Sequence, residues 1–83
     1  MEKMFFNRLL GEFVKLKRIE LNLSQSQLSD KMGLDYQYIS KIERGLISPT
    51  FYWIIRLAES LELNPIEFSS QMLNYIQENQ ERH

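Results

Sequence analysis

The chain has 83 residues, 43% of them apolar and 25% charged, which bounds it to one domain with one small core and excludes wholesale disorder. It contains no cysteine, so neither a disulfide framework nor a thiolate metal site holds the fold. The formal net charge of −1 hides an asymmetry: nine Lys and Arg face six Asp and Glu up to Ala58, and one Arg faces five Glu from Glu59 onward. A basic front and an acidic tail suit a chain that docks on phosphates, and equally suit two solvated helix faces. No apolar run approaches the roughly 20 residues of a membrane span. Lys3, Asn7, Arg8 and Glu12 break up the N-terminal apolar residues, a poor secretory pattern, so a cytoplasmic location is expected.

Five helices follow in chain order, and no stretch alternates with period two for long enough to argue a strand. The first is expected from about Asn7 to Leu21, with Leu10, Val14, Leu21 and Phe13 toward a core and Lys15, Arg18 and Glu20 facing elsewhere. Ser24 begins the second, and Gln27 three residues on completes a capping-box spacing. Leu28 and Met32 supply its core contacts, and Gly33 ends it in the left-handed position. The third is expected from Asp35, as a cap, to Arg44, with Gly45 closing it and Ile39 and Ile42 turned inward. Thr50 opens the fourth, where Ile54, Leu57, Ala58 and Leu61 repeat at helical spacing. Asn64-Pro65 opens the fifth, which carries Ile66, Phe68, Met72, Leu73 and Ile76 and frays from Gln77 onward.

The middle of the chain is the informative part. Two short helices joined at Gly33 form a helix-turn-helix unit over about 24–45, in which Leu28, Leu34, Ile39 and Ile42 bury the inner faces of two steeply crossing helices. The outer face of the second helix then shows Tyr36, Gln37, Tyr38, Ser40, Lys41 and Arg44. A helix about 10–12 Å across fits the DNA major groove, where base edges present a distinct donor and acceptor pattern. That face is expected to touch DNA. For Tyr36 and Tyr38 the competing reading is packing onto helix one or a neighbouring subunit.

The stretch SQSQLSDKMGLDYQYISKIERGLISPT, residues 24–50, resembles the Cro-type phage repressor family of helix-turn-helix regulators, also called the xenobiotic-response-element (XRE) family. The resemblance spans residues 10–63 and implies an all-α, five-helix, lambda-repressor-like DNA-binding domain. Within that family the run LDYQYISKIERG is similar to the controller proteins of restriction–modification systems, which bind operators as homodimers and regulate their own and the endonuclease gene.

The resemblance implies roles position by position. Tyr36, Gln37 and Lys41 occupy base-facing positions. Gln37 is suited to adenine N6 and N7, Lys41 to guanine O6 or N7, and Tyr36 either to a thymine methyl or, through its hydroxyl, to a base or phosphate. Gln25 would hydrogen-bond a phosphate and brace the recognition helix, while Tyr38, Ser40 and Arg44 would contact the backbone and set register. Arg18 and Glu43 match a family ion pair that acts as an orienting clamp. Ser29 stands where the family usually has Ala. Trp53, at a site that is often polar, covers the core edge, stands at the DNA backbone or belongs to a dimer surface.

Catalysis needs a nucleophile–base pair or a metal cluster. With no Cys, a single histidine at position 83 and three glycines that form no phosphate loop, neither an enzyme, a cofactor, a metal nor a small-molecule substrate is expected. The apolar residues of helices four and five, about 50–79, exceed what four short helices cover. Trp53, Phe51, Ile66, Met72, Leu73 and Ile76 are therefore expected at a twofold interface. The sequence is read as a single 1–83 domain: a homodimeric transcription regulator of a palindromic double-stranded DNA operator, first as a restriction–modification controller. The alternatives are a phage-type repressor, or an antitoxin-like regulator whose C-terminal helices bind a partner protein.

Overall fold

Four polar side chains start four of the helices. The Ser24 hydroxyl accepts from the Gln27 amide at 3.0 Å while the Gln27 side chain accepts from the Ser24 amide at 2.7 Å. Asp35 accepts from the Gln37 amide at 2.8 Å, Thr50 from Trp53, and Asn64 from the Glu67 amide at 2.8 Å. Each bond satisfies a backbone donor that the helix itself leaves without a partner. The computed structural model describes residues 1–80 and contains α1 (Lys3–Glu20), α2 (Gln25–Met32), α3 (Tyr36–Glu43), α4 (Phe51–Ser60) and α5 (Pro65–Gln80). No strand occurs among the described residues, so the fold is all-α as expected.

Two boundaries differ from the sequence reading. α1 starts at Lys3 rather than near Asn7, because the Asn7 side chain is buried and accepts from the Ser48 hydroxyl in the α3–α4 connection instead of capping a helix. α5 does not fray at Gln77. It continues to Gln80, where Asn79 is buried with its amide donating to the Tyr75 carbonyl at 2.7 Å. The histidine at 83 lies outside the described residues.

The helices pack as a closed ring: α1 on α3 and on α5, α2 on α3 and α4, and α4 on α5. Leu9, Leu10, Phe13 and Val14 meet Leu28, Met32, Ile39, Ile42, Leu57, Leu61 and Phe68 in one cluster. Phe13 stands edge-on to Phe68 with ring centroids 5.3 Å apart. Gly11 lies where α1 presses on the end of α3, and a Cβ there would sit 2.7 Å from the Glu43 carbonyl oxygen. Only a glycine lets the two backbones approach so closely.

The expected interface on α5 is corrected in part. Phe68, Met72 and Ile76 recur every four residues and form one buried stripe, so Met72 and Ile76 belong to the monomer's own core. Ile66 and Leu73 share a different face and remain exposed, as does Phe51 on α4.

The C-terminal ends of α1 to α4 share one construction. In each, a residue takes a left-handed conformation: Asn22, Gly33, Gly45 and Glu62, with φ of 57°, 69°, 73° and 62°. A leucine follows in every case, Leu23, Leu34, Leu46 and Leu63, and its amide bonds five residues back to Arg18, Ser29, Lys41 and Ala58. These are Schellman endings, which satisfy the last carbonyls and turn the chain sharply. Glu62 holds the left-handed conformation against its own Cβ, at a cost of about 1 kcal/mol. Glu62→Gly is therefore expected to raise stability by up to about 1 kcal/mol, less the added entropy of the unfolded chain. Thermal unfolding followed by circular dichroism would register this as a higher Tm, and an unchanged or lower Tm would contradict it.

Candidate nucleic-acid interface

The interface is built on α3, and α3 is held by charge. Ile39 and Ile42 are its only buried apolar side chains, too few to fix the tilt of an eight-residue helix by apolar contact alone. Orientation comes from Glu43 at its C-terminal end. Arg18 of α1 donates to both Glu43 oxygens, Nε to Oε2 at 2.7 Å and Nη2 to Oε1 at 3.0 Å. The remaining donors find partners too: Arg18 Nη1 reaches the Leu23 carbonyl at 2.7 Å, and Gln25 Nε2 of α2 donates to Glu43 Oε1 at 3.1 Å. Donors from α1 and α2 thus converge on one carboxylate of α3, whose side chain is 3% exposed against 11% for Arg18.

The Glu43 hydrogen bonds hold the Arg18 pKa above its ordinary value, although burial acts in the opposite sense. A raised folded-state pKa stabilises the fold at every pH below the unfolded value and is lost only as pH rises past it. Arg18 therefore remains charged through the neutral and acid range.

With its end fixed, α3 presents a defined outer face. Gln37, Lys41 and Arg44 fall at i, i+4 and i+7 and are all exposed, with Tyr36 beside them at 53% exposure. Arg44, which caps α3, lays Nε near the Ser40 carbonyl at 3.4 Å, and Ser40 itself is half-buried. The expected base-facing residues Tyr36, Gln37 and Lys41 therefore stand together on a solvent-facing stripe that ends in Arg44.

Tyr38 is placed differently from the other outer residues. It leans off the stripe onto Trp53 of α4, with ring centroids 5.8 Å apart, and burial pushes its phenol pKa up. It packs, but on α4 rather than on α1. Gln25 donates to Glu43 and so braces α3. Trp53 is half-buried against the core, edge-on to Tyr52 at 5.0 Å.

The sequence reading missed Arg56. Its guanidinium lies 5.5 Å over the Trp53 ring, donates Nη2 to the Met32 carbonyl at 3.0 Å and Nη1 to the Tyr52 hydroxyl at 3.1 Å. The Met32 carbonyl closes α2, so Arg56 ties α4 to the turn between α2 and α3. The signal was present: an arginine three and four residues after two aromatics on one helix. Nothing in the sequence, however, points to its carbonyl partner.

These elements define a class: a short, solvent-facing polar helix, capped by Asp35 and clamped through Glu43 inside a helical framework, is a helix-turn-helix reader. The chain belongs to the helix-turn-helix family HTH_3, whose model matches residues 14–68. A curated relative, the uncharacterised HTH-type transcriptional regulator y4dJ of Sinorhizobium fredii, is 34% identical over 65 residues, 77% of this chain and 83% of the relative. Among solved structures, the restriction–modification controller protein C.Esp1396I, a tetramer in complex with its natural operator, superposes with a TM-score of 0.81 at 27% identity, covering 88% of this chain and 96% of that one. The controller C.AhdI from Aeromonas hydrophila gives a TM-score of 0.70 at 31% identity, over 75% and 94% of the two chains. No helix among the described residues is long and apolar enough to cross a membrane.

Removing the Glu43 carboxylate leaves Arg18 buried without its counter-charge. Glu43→Ala is expected to cost about 3–5 kcal/mol, as measured for broken buried pairs. Urea denaturation checks it, and a loss under about 1 kcal/mol would mean that the clamp contributes little to the folded state.

Proposed function

We propose that this protein is a transcription regulator that binds a palindromic operator as a homodimer, in the manner of a restriction–modification controller. The observation that carries the reading is the stripe of Gln37, Lys41 and Arg44, with Tyr36 beside it, standing in solvent on a helix whose end is fixed by a buried ion pair. Such a helix enters the major groove as a rigid unit, so its side chains meet base edges in one register. Gln37 and Lys41 read bases, Tyr36 contacts a thymine methyl, a base or a phosphate, and Arg44 and Ser40 position the backbone. Tyr38, held against Trp53, is assigned to the DNA backbone by the resemblance alone.

A single recognition helix reads a short half-site, so two copies are needed for a usable operator. Phe51, Ile66 and Leu73 are 76%, 81% and 54% exposed, apolar surface of the kind that a twofold interface through α4 and α5 would cover. The resemblance to controllers supports self-regulation together with an endonuclease gene, and action on DNA supports a cytoplasmic site.

Sequence selection from random duplexes, with mass followed by light scattering, tests the reading. A palindrome with half-sites about 10 base pairs apart, bound by dimers, is expected. Absence of any enriched site would direct attention to a protein partner for α4 and α5 instead. Gln37→Ala is expected to cost about 1–3 kcal/mol and relax preference at one base pair, whereas Arg44→Ala weakens all sequences alike. Equal losses on every sequence for Gln37→Ala would remove it as a base reader. Leu73→Glu is expected to shift the protein to monomer in light scattering at an unchanged fold, and an unchanged mass would exclude that face from the interface.

A further inference from the structure

Of the three residues that open α3, Tyr36 and Gln37 are exposed, and only Tyr38 turns back toward the protein. The Arg18–Glu43 pair fixes the far end of the helix, about 9 Å from Gln37 at about 1.5 Å per residue. A tilt of about 10° around that end shifts the Gln37 Cα sideways by roughly 1.5 Å, more than the spread of hydrogen-bond lengths tolerates. The Asp35 cap is local to α3 and travels with it. The end that carries Gln37 therefore needs a stop of its own. One comes from α4, where the Trp53 ring meets Tyr38 with centroids 5.8 Å apart, the Arg56 guanidinium at 5.5 Å and the Tyr52 ring at 5.0 Å. Arg56 is tied down in turn, to the Met32 carbonyl that closes α2 and to the Tyr52 hydroxyl. A half-buried indole with these neighbours has few ways to move, so it gives Tyr38 a fixed surface.

We propose that Trp53 is a specificity-determining positioning residue: by seating Tyr38 it sets the tilt of α3, and hence where Gln37 meets a base edge. The inference rests on the reading of α3 as a DNA-binding helix. Trp53 acts through Tyr38 and reads no base itself. A small tilt has unequal effects on the two kinds of DNA contact. Attraction between a long cationic side chain and a phosphate survives it, because charge acts over several ångströms and the chain readjusts. A side-chain amide paired with both N6 and N7 of one adenine does not, because two hydrogen bonds fix its place at once. Loosening Trp53 therefore removes discrimination between sequences before it removes affinity for DNA.

The test is the ratio of binding to the operator selected by the wild-type protein over binding to a scrambled duplex, at one salt concentration. Wild type is compared with Trp53→Leu, Trp53→Phe, Gln37→Ala and the combination of Trp53→Leu with Gln37→Ala. Trp53→Leu is expected to lower the ratio roughly tenfold, the size of one lost base contact, mainly through weaker operator binding. Trp53→Phe keeps a ring against Tyr38 and Arg56 and is expected to retain most of the ratio. In the Gln37→Ala background Trp53→Leu adds little, because the contact that it positions is already gone. If Trp53→Leu lowers the Tm into the assay range, Tyr38→Ala carries the test and is expected to lower the ratio by a similar factor. An unchanged ratio, an equal loss on both duplexes, a Trp53→Phe loss as large as that of Trp53→Leu, or additive losses with Gln37→Ala would each overturn the proposal. A fall to monomer mass in light scattering for Trp53→Leu would also overturn it, by placing Trp53 in the interface between protomers. Failure of the wild type to select any DNA would remove the reading of α3 itself, an outcome distinct from an unchanged ratio.

Discussion

The pair between Arg18 and Glu43 is the contact on which the geometry of this protein depends. Apolar burial drives α3 onto the core, but two isoleucines leave it free to roll and tilt. The Glu43 carboxylate removes that freedom because its partners come from different places: Arg18 from α1 and Gln25 from α2, with the Leu23 carbonyl satisfying the remaining face of the guanidinium. Two charges taken out of water incur a large desolvation penalty, which offsets much of their attraction. What such a pair adds is direction. A bidentate guanidinium–carboxylate contact has one good arrangement, whereas a hydrophobic replacement of equal volume has many.

A second, weaker tie works from the other side. Arg56 joins the end of α2 to the aromatic surface of α4, and Tyr38 reaches from α3 onto the same Trp53 ring. Gly11 then removes any side-chain cushion between α1 and the end of α3. Asn7 and Ser48 fasten the α3–α4 connection to α1. With α3 located by contacts on its inner and terminal residues, its outer residues are left with almost no structural duty. A helix whose exposed side can change without disturbing its mounting is what a family of DNA readers requires, since specificity there is a matter of a few side chains.

Much of this was legible in the sequence, and the division follows the range of the interactions. Capping by Ser24, Asp35, Thr50 and Asn64, the turn at Gly33 and the inner faces of α2 and α3 are encoded within a few residues, and all appear where the spacing puts them. The Arg18–Glu43 pair spans 25 positions and was accessible only through resemblance to a family. α5 shows where local pattern fails. It carries apolar residues on more than one face, so the sequence does not say which stripe meets α1, and Met72 and Ile76 were assigned outward when packing takes them in. Tyr38 is a similar case, because an amphipathic ring satisfies either environment until Trp53 is placed beside it. Asn7 is a polar residue buried through a tertiary partner, Ser48, which no periodicity reveals.

The four Schellman corners carry a consequence for how the molecule meets a partner. Each corner is closed by two backbone hydrogen bonds and followed by a leucine, and only residues 21–24, 33–35 and 61–64 separate the helices on either side of three of them. The fourth connection, 44–50, is longer but pinned by Gly45 and Ser48 to α1. Among the described residues each connection between helices is accordingly short or tied to α1. A duplex docked on such a body must do the adapting, and the energy of bending or overwinding its base pairs enters the affinity directly. Base pairs of such a duplex that no side chain touches then matter through their stiffness, and the framework acts as the gauge against which that stiffness is measured.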